Sequence, residues 1–117
     1  MYGLVRSFFA LFKGAQGAET RGAQLLHANL TPIQLRQLKV RAYFEVIGGA
    51  SGSRYRIHDS PTVNIDQLDA SKKVVQKWCF APEGNLPSGD VLLAQKLALE
   101  LFEYDALSVA NRHLRNL

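Results

Sequence analysis

One cysteine in 117 residues excludes an internal disulfide and any cysteine-rich metal cluster. A reducing compartment, the cytoplasm, is the expected setting. The chain has only four prolines and nine glycines and no low-complexity tract or internal repeat, which argues against a disordered or fibrous chain. No apolar run reaches the roughly 20 residues that a bilayer span needs. No P-loop lysine follows a glycine-rich turn, and no metalloprotease or zinc-finger spacing occurs. The three histidines and the cysteine (His27, His58, Cys79, His113) are too far apart for a local metal site.

Acidic residues are scarce in the first half. Residues 1–58 hold eight Lys/Arg against Glu19 and Glu45, whereas residues 59–117 hold six against eight acids. The overall charge of +4 is therefore a basic half joined to a mildly acidic one. The length suits a single core and is too short for two.

The N-terminal stretch MYGLVRSFFALFKG places Leu4, Phe8, Leu11 and Phe12 on one helical face, with Val5 and Phe9 beside them. No charged n-region precedes a long apolar core there, so a secretory signal is not expected. Such a helix suits packing on the domain or on a second copy, and Phe8, Phe9 and Phe12 flanked by Arg6 and Lys13 also suit a membrane surface bound through residues 1–14. The following GAQGAETRGAQ has no apolar periodicity and reads as a linker. The expected organisation is an appendage over residues 1–20 and one domain over 21–117. A short helical piece is expected around residues 24–29, then a second helix begun by Thr31 as N-cap with Pro32 in its first position.

From Ala42 the apolar period becomes two. Phe44 and Val46 face inward in AYFEVIG, as do Tyr55 and Ile57 in RYRIH. A hairpin across GGASGS then sets Val46 opposite Tyr55, Phe44 opposite Ile57 and Glu45 opposite Arg56. Tyr55 belongs to the core and cannot stack between Arg54 and Arg56, because strand neighbours point to opposite faces. A third strand, VNID, is expected with Val63 and Ile65 inward, which sets Arg54 opposite Asp66. A fourth, KKVVQKWCF, is expected with Val74, Trp78 and Phe80 inward and Lys73 opposite Asp66. Arg54, Arg56, Lys73 and Lys77 then form a weakly basic face, the candidate surface for nucleic acid, with Glu45 and Asp66 opposing that reading.

Residues 90–113 contain neither Gly nor Pro and predict one helix of about 22 residues, with Ser88 as its N-cap. Leu93, Leu97, Leu101 and Tyr104 make its main apolar stripe; Leu92, Leu99 and Ala110 lie further round, wider than one sheet face covers, so Leu92 and Leu99 are candidates for an association surface. Lys96, Glu100 and Glu103 read as the solvated edge.

No catalytic set emerges. His58 and Asp59 are strand neighbours on opposite faces, and Cys79 has no base at a legible spacing. No cofactor is implied. The fold expected is α+β: N-terminal helices, a four-stranded antiparallel meander, and a long C-terminal helix packed on one sheet face. The function expected is a small non-enzymatic binding or adaptor module acting on a protein partner or as a homo-oligomer, with nucleic acid and the membrane surface as alternatives. The segments LTPIQ, SRYRI, VNIDQLD, WCFAPEGNLPSGD and LLAQKLALE resemble a family of small bacterial proteins of uncharacterised activity, over roughly residues 30–112. That resemblance implies a compact single domain of bacterial origin and transfers no activity or site.

Overall fold

The computed structural model describes residues 17–115, and side chains through residue 110. The element order is a helix over residues 17–28 (α1), α2 Pro32–Arg41, β1 Tyr43–Ile47, β2 Arg54–His58, β3 Ile65–Leu68, β4 Val74–Trp78, α3 Ser88–Leu101 and α4 Glu103–Arg115. The strands form one antiparallel sheet in the order β1-β2-β3-β4, and α3 packs on it, the α+β arrangement expected.

The start of α2 follows from local chemistry. The Thr31 hydroxyl accepts the Gln34 amide at 3.2 Å, and Gln34 Oε1 accepts the Thr31 amide at 3.0 Å. This capping box, with Pro32 in the first turn, satisfies two amides that a helix start leaves free. The helix runs through Arg41 and stops at Ala42, which takes a left-handed φ of 59° and turns the chain into β1. α2 then covers the free edge of β1: Gln34 Nε2 donates to the Glu45 carbonyl at 2.9 Å, and Gln37 Oε1 accepts the Glu45 amide at 2.9 Å. An edge strand capped in this way cannot pair with another chain through those groups.

Phe44, Val46, Tyr55, Ile57 and Ile65 supply the inner sheet face, and Leu26, Leu92, Leu93 and Leu99 close over it. Residues 17–24, expected as linker, are helical. α1 crosses the start of α3 where Gly22 meets Gly89, a contact that a side chain at either position would obstruct.

The β1–β2 register is the one expected, with Phe44 opposite Ile57, Glu45 opposite Arg56 and Val46 opposite Tyr55. The β2–β3 register differs by two residues: Ile57 faces Ile65, and Asp66 faces Arg56 rather than Arg54. The cause is the connection. Val63 adopts φ 36° and is exposed instead of inward, and the ladder begins where the His58 amide donates to the Asn64 carbonyl at 2.8 Å. A slip of two keeps every side chain on its face, so Ile65 still points inward. On β4 it is Lys77, not Lys73, that stands opposite Asp66, with a bulge between Gln67 and Leu68. Lys73 lies at the strand's start, its amide donating to Asp69 Oδ1 at 2.9 Å. Val74 is exposed rather than inward, because β4 is left uncovered from Val74 through Lys77 and only Trp78 at its end is half-buried.

The C-terminal helix is two helices. Phe102 leaves helical geometry (φ −138°, ψ 46°) between α3 and α4. The buried face is also not the apolar stripe expected: Leu92, Lys96, Leu99, Glu103, Ala106 and Ala110 are buried at helical spacing, while Leu97, Leu101 and Tyr104 are exposed. Leu92 and Leu99, candidates for an association surface, lie in the domain's own core, 4% and 0% exposed.

Candidate functional site

The outer sheet face carries the expected basic side chains, and they are engaged within the chain. Glu45, whose side chain is 6% exposed, meets Arg56 at 3.2 Å, Arg54 at 3.5 Å and Lys72 at 3.8 Å. Asp66 meets His58 at 2.9 Å and Lys77 at 3.0 Å. Arg56 also lies 4.4 Å from the centre of the Tyr43 ring, a cation–π contact. Burial pushes the Asp66 carboxyl up, but hydrogen bonds from Lys77 and His58 outweigh it and hold the group below its ordinary value. Of the four site residues expected here, Arg54 and Arg56 pair with Glu45 and Lys77 pairs with Asp66, while Lys73 forms no ion pair among the described residues and Lys72, unforeseen, joins the Glu45 group. Asp59 belongs to neither group: His58 turns to Asp66, as the opposed strand faces required. Phe8, Phe9 and Phe12 lie outside the described residues.

The glycine-rich loop between β1 and β2 does hold an anion, and that anion belongs to the chain. Glu103, the first residue of α4, inserts its carboxylate into residues 50–55. Oε1 accepts the Ala50 amide at 3.0 Å and the Ser51 amide at 2.8 Å; Oε2 accepts the Ser51 hydroxyl and, at 2.6 Å, the Tyr55 hydroxyl. The break at Phe102 makes this possible. In an unbroken helix the Leu99 carbonyl would accept the Glu103 amide; here it accepts the Gly49 amide at 3.1 Å. Burial raises the Glu103 carboxyl, yet its four donors outweigh that and hold it below its ordinary value. The Tyr55 phenol is held well above its own, first by burial and then by donating to that carboxylate. Glu103 is thus an ionised carboxylate with its acceptors filled, and the arrangement is a latch between loop and helix, not an acid–base centre.

The sequence placed Glu103 on a solvated edge. Glu103 and Asp105, two acids in the first turn of α4, were the available sign that a new helix begins there.

Two clefts flank α3. One, of about 470 Å³, is lined by Glu19, Asp59, Cys79, Leu86, Val91 and Gln95. The other, of about 350 Å³, has Ala94, Ala98 and Ala106 with Phe80, Phe102 and Val109 around them. They share Ala81 and Gln95 and so adjoin. Their polar floor is internally satisfied: Asn64 Nδ2 donates to Gln95 Oε1 at 2.7 Å, Gln95 Nε2 to Asn64 Oδ1 at 3.1 Å, and Gln95 Nε2 also to the Phe80 carbonyl at 2.6 Å. Cys79 is a half-buried free thiol. Among the described residues no three His, Cys, Asp or Glu side chains gather as a metal site, and no helix is long and apolar enough to cross a membrane.

The remaining feature is an uncovered apolar face. Leu101 is 66% exposed, and Leu97, Phe102, Tyr104 and Val109 are exposed with it along α3 and α4. Compared with protein-family models, curated proteins and solved structures, the chain finds no match.

Proposed function

We propose that the chain is a non-enzymatic association module that binds a protein surface, a second copy of itself in the simplest case, through the outward face of α3 and α4. The observation that carries this reading is the helical stripe Leu97, Leu101 and Tyr104, with Phe102 alongside, left uncovered on helices whose opposite face is packed into the core. Apolar side chains scattered singly on a surface call for no explanation, whereas a contiguous stripe is the usual signature of an interface. What the polar sites lack also supports it: Glu103 has its acceptors filled, the Asn64–Gln95 amides satisfy one another, and the outer cations hold Glu45 and Asp66.

The test is the mass in solution of the wild-type chain and of Leu101→Glu, by sedimentation equilibrium. A self-associating wild type that becomes monomeric in Leu101→Glu with unchanged thermal stability supports the reading; association that survives Leu101→Glu places the interface elsewhere. A monomeric wild type leaves a heterologous partner, whose capture must then depend on Leu101. The nucleic-acid reading is less supported, because Glu45 and Asp66 sit among the cations that would meet phosphate. A cytoplasmic setting and bacterial origin belong to this proposal as well.

A further inference from the structure

We propose that α3 and α4 form a two-state element: the Glu103 latch holds them bent at Phe102, and its release lets them run on as one helix that presents Leu97, Leu101 and Tyr104 in a single line. The hinge rests on backbone geometry alone. Its consequence, regulation of the surface at which a second copy binds, rests on the association reading.

The bend has no cause in the local sequence. Sharp helix breaks come from Pro, from Gly or Ser, or from a group inserted into the hydrogen-bond ladder, and residues 97–107 contain none of those three residue types. The inserted group is the β1–β2 loop. The Gly49 amide donates to the Leu99 carbonyl at 3.1 Å, and Gly49 lies against the Glu100 carbonyl. In an unbroken helix the amides of Glu103, Tyr104 and Asp105 would donate to the carbonyls of residues 99, 100 and 101. Among the described residues they bond to no carbonyl of α3, and they stand as the free amides of a new helix start. Straightening therefore restores three main-chain hydrogen bonds, in exchange for the Gly49 bond and the four that the Glu103 carboxylate accepts.

Little else fastens α4. Its buried face carries Glu103, Ala106 and Ala110, with Leu107 half-buried beside them. Two alanine methyls and part of one leucine remove little apolar area from water, so the latch is the chief fastening.

The exposed stripe has the spacing of the straight form. Leu97, Leu101 and Tyr104 stand at i, i+4 and i+7, the period of one unbroken helix, although the break at Phe102 falls between the second and the third. The bent form divides the stripe between two helices, and the straight form unites it. A second copy that packs along the united stripe selects the straight form, so latch and association oppose each other.

Amide hydrogen exchange reads the two states in opposite directions. In Glu103→Ala the Gly49 amide is expected to exchange faster and those of Tyr104 and Asp105 slower; if the straight population rises from about a tenth to about nine-tenths, each change is about ninefold. A chain that merely loosens gains no protection anywhere. Faster exchange at Gly49 without slower exchange at Tyr104 and Asp105 overturns the proposal. Should Glu103→Ala fail to fold, Ser51→Ala removes one donor, keeps the carboxylate, and moves the same amides in the same directions by less; no opposed movement there overturns the proposal equally.

Asp105→Pro locks the bent form, because proline is tolerated in the first turn of α4 but interrupts an unbroken helix. It leaves Leu97, Leu101 and Tyr104 in place. Sedimentation equilibrium is expected to show weaker self-association in Asp105→Pro than in the wild type, and tighter association in Glu103→Ala. The gain is up to about tenfold for each copy that must straighten, the limit set by a straight form about one-tenth populated in the wild type. Association that is equal in Asp105→Pro and the wild type, yet lost in Leu101→Glu, overturns this inference and leaves the association reading standing. Monomers in every chain, with the opposed exchange present, support the hinge and end the reading that a second copy binds there.

Discussion

The Tyr55 hydroxyl donates at 2.6 Å to Oε2 of Glu103, joining the centre of the sheet to the first residue of α4. Both groups are buried, and the same carboxylate holds the Ala50 and Ser51 amides. Removing it leaves three or four donors without a partner. Glu103→Ala is expected to lower stability by about 3 kcal/mol, the upper range for an unsatisfied buried group or a lost charged hydrogen bond. Glu103→Gln keeps one oxygen for the loop amides and is expected to lose about half as much. Urea unfolding of the three chains checks the order; equal stability in all three would mean that the loop holds its shape without the latch.

The latch also sets a pH dependence. Glu103 and Asp66 ionise below their ordinary values of 4.5 and 3.8, because hydrogen bonds to the charged form outweigh burial in each. Each therefore binds fewer protons folded than unfolded. The stability they contribute is fully present above those ordinary values and is lost as pH falls through the lower folded ones. Melting temperature is expected to fall with acid below about pH 4.5, and less steeply in Glu103→Gln. Tyr55 acts with the opposite sign. Its folded pKa is raised from 10.0, so its contribution is intact below that value and is lost as pH rises beyond it. Calorimetry across both limbs tests this; an acid limb identical in wild type and Glu103→Gln would remove Glu103 from the account.

Two glycines of the hairpin loop are there for different reasons. A Cβ on Gly49 would run into the Glu100 carbonyl, which is helix backbone and cannot move aside, whereas Gly52 has open space and a φ of 74°. Gly52→Ala is expected to cost only the left-handed penalty of about 1–2 kcal/mol. Gly49→Ala is expected to cost more and to reduce the protection of the Gly49 amide from hydrogen exchange. The reverse ranking would show that α3 does not bear on the loop as closely as the structure places it.

The β1–β2 hairpin was legible because alternation on both strands left one face-preserving register, which puts Glu45 opposite Arg56. The next pairing was not, since nothing in DSPTVN announces a left-handed Val63 or an inward Asn64. Glu103 was missed for a more general reason. Its donors Ser51 and Tyr55 are 52 and 48 residues away, and a polar residue between apolar helical positions reads as solvated until such partners are known. The same holds for Lys96, buried and paired with Glu100. Phe102 breaks the helix without Gly or Pro; Leu97, Leu101 and Tyr104 form the better apolar stripe in sequence, yet the sheet takes the face that carries Glu103.

The outer basic face gives the last prediction. Judged by strand alternation, Arg54 and Arg56 are surface residues whose joint removal leaves the fold almost unchanged. Their partner alters that expectation. The Glu45 side chain is only 6% exposed, and without both arginines it keeps only Lys72 at 3.8 Å and Gln37 at 3.2 Å. Breaking a fully buried pair costs about 3–5 kcal/mol and an exposed one at most about 1. With Arg54 42% and Arg56 21% exposed, Arg54→Ala with Arg56→Ala is expected to cost about 2 kcal/mol, between those limits. A loss of nucleic-acid binding in that variant would then confound fold with function. Lys73→Glu is the cleaner probe, because Lys73 is exposed and forms no ion pair among the described residues. Binding of duplex DNA by the wild type is expected to be weaker than about 1 μM at physiological salt, with no sequence preference, as for purely electrostatic contacts. Fluorescence anisotropy at several salt concentrations measures it. Submicromolar binding that Lys73→Glu weakens, with the melting temperature unchanged, would make this sheet face the functional surface in place of α3 and α4.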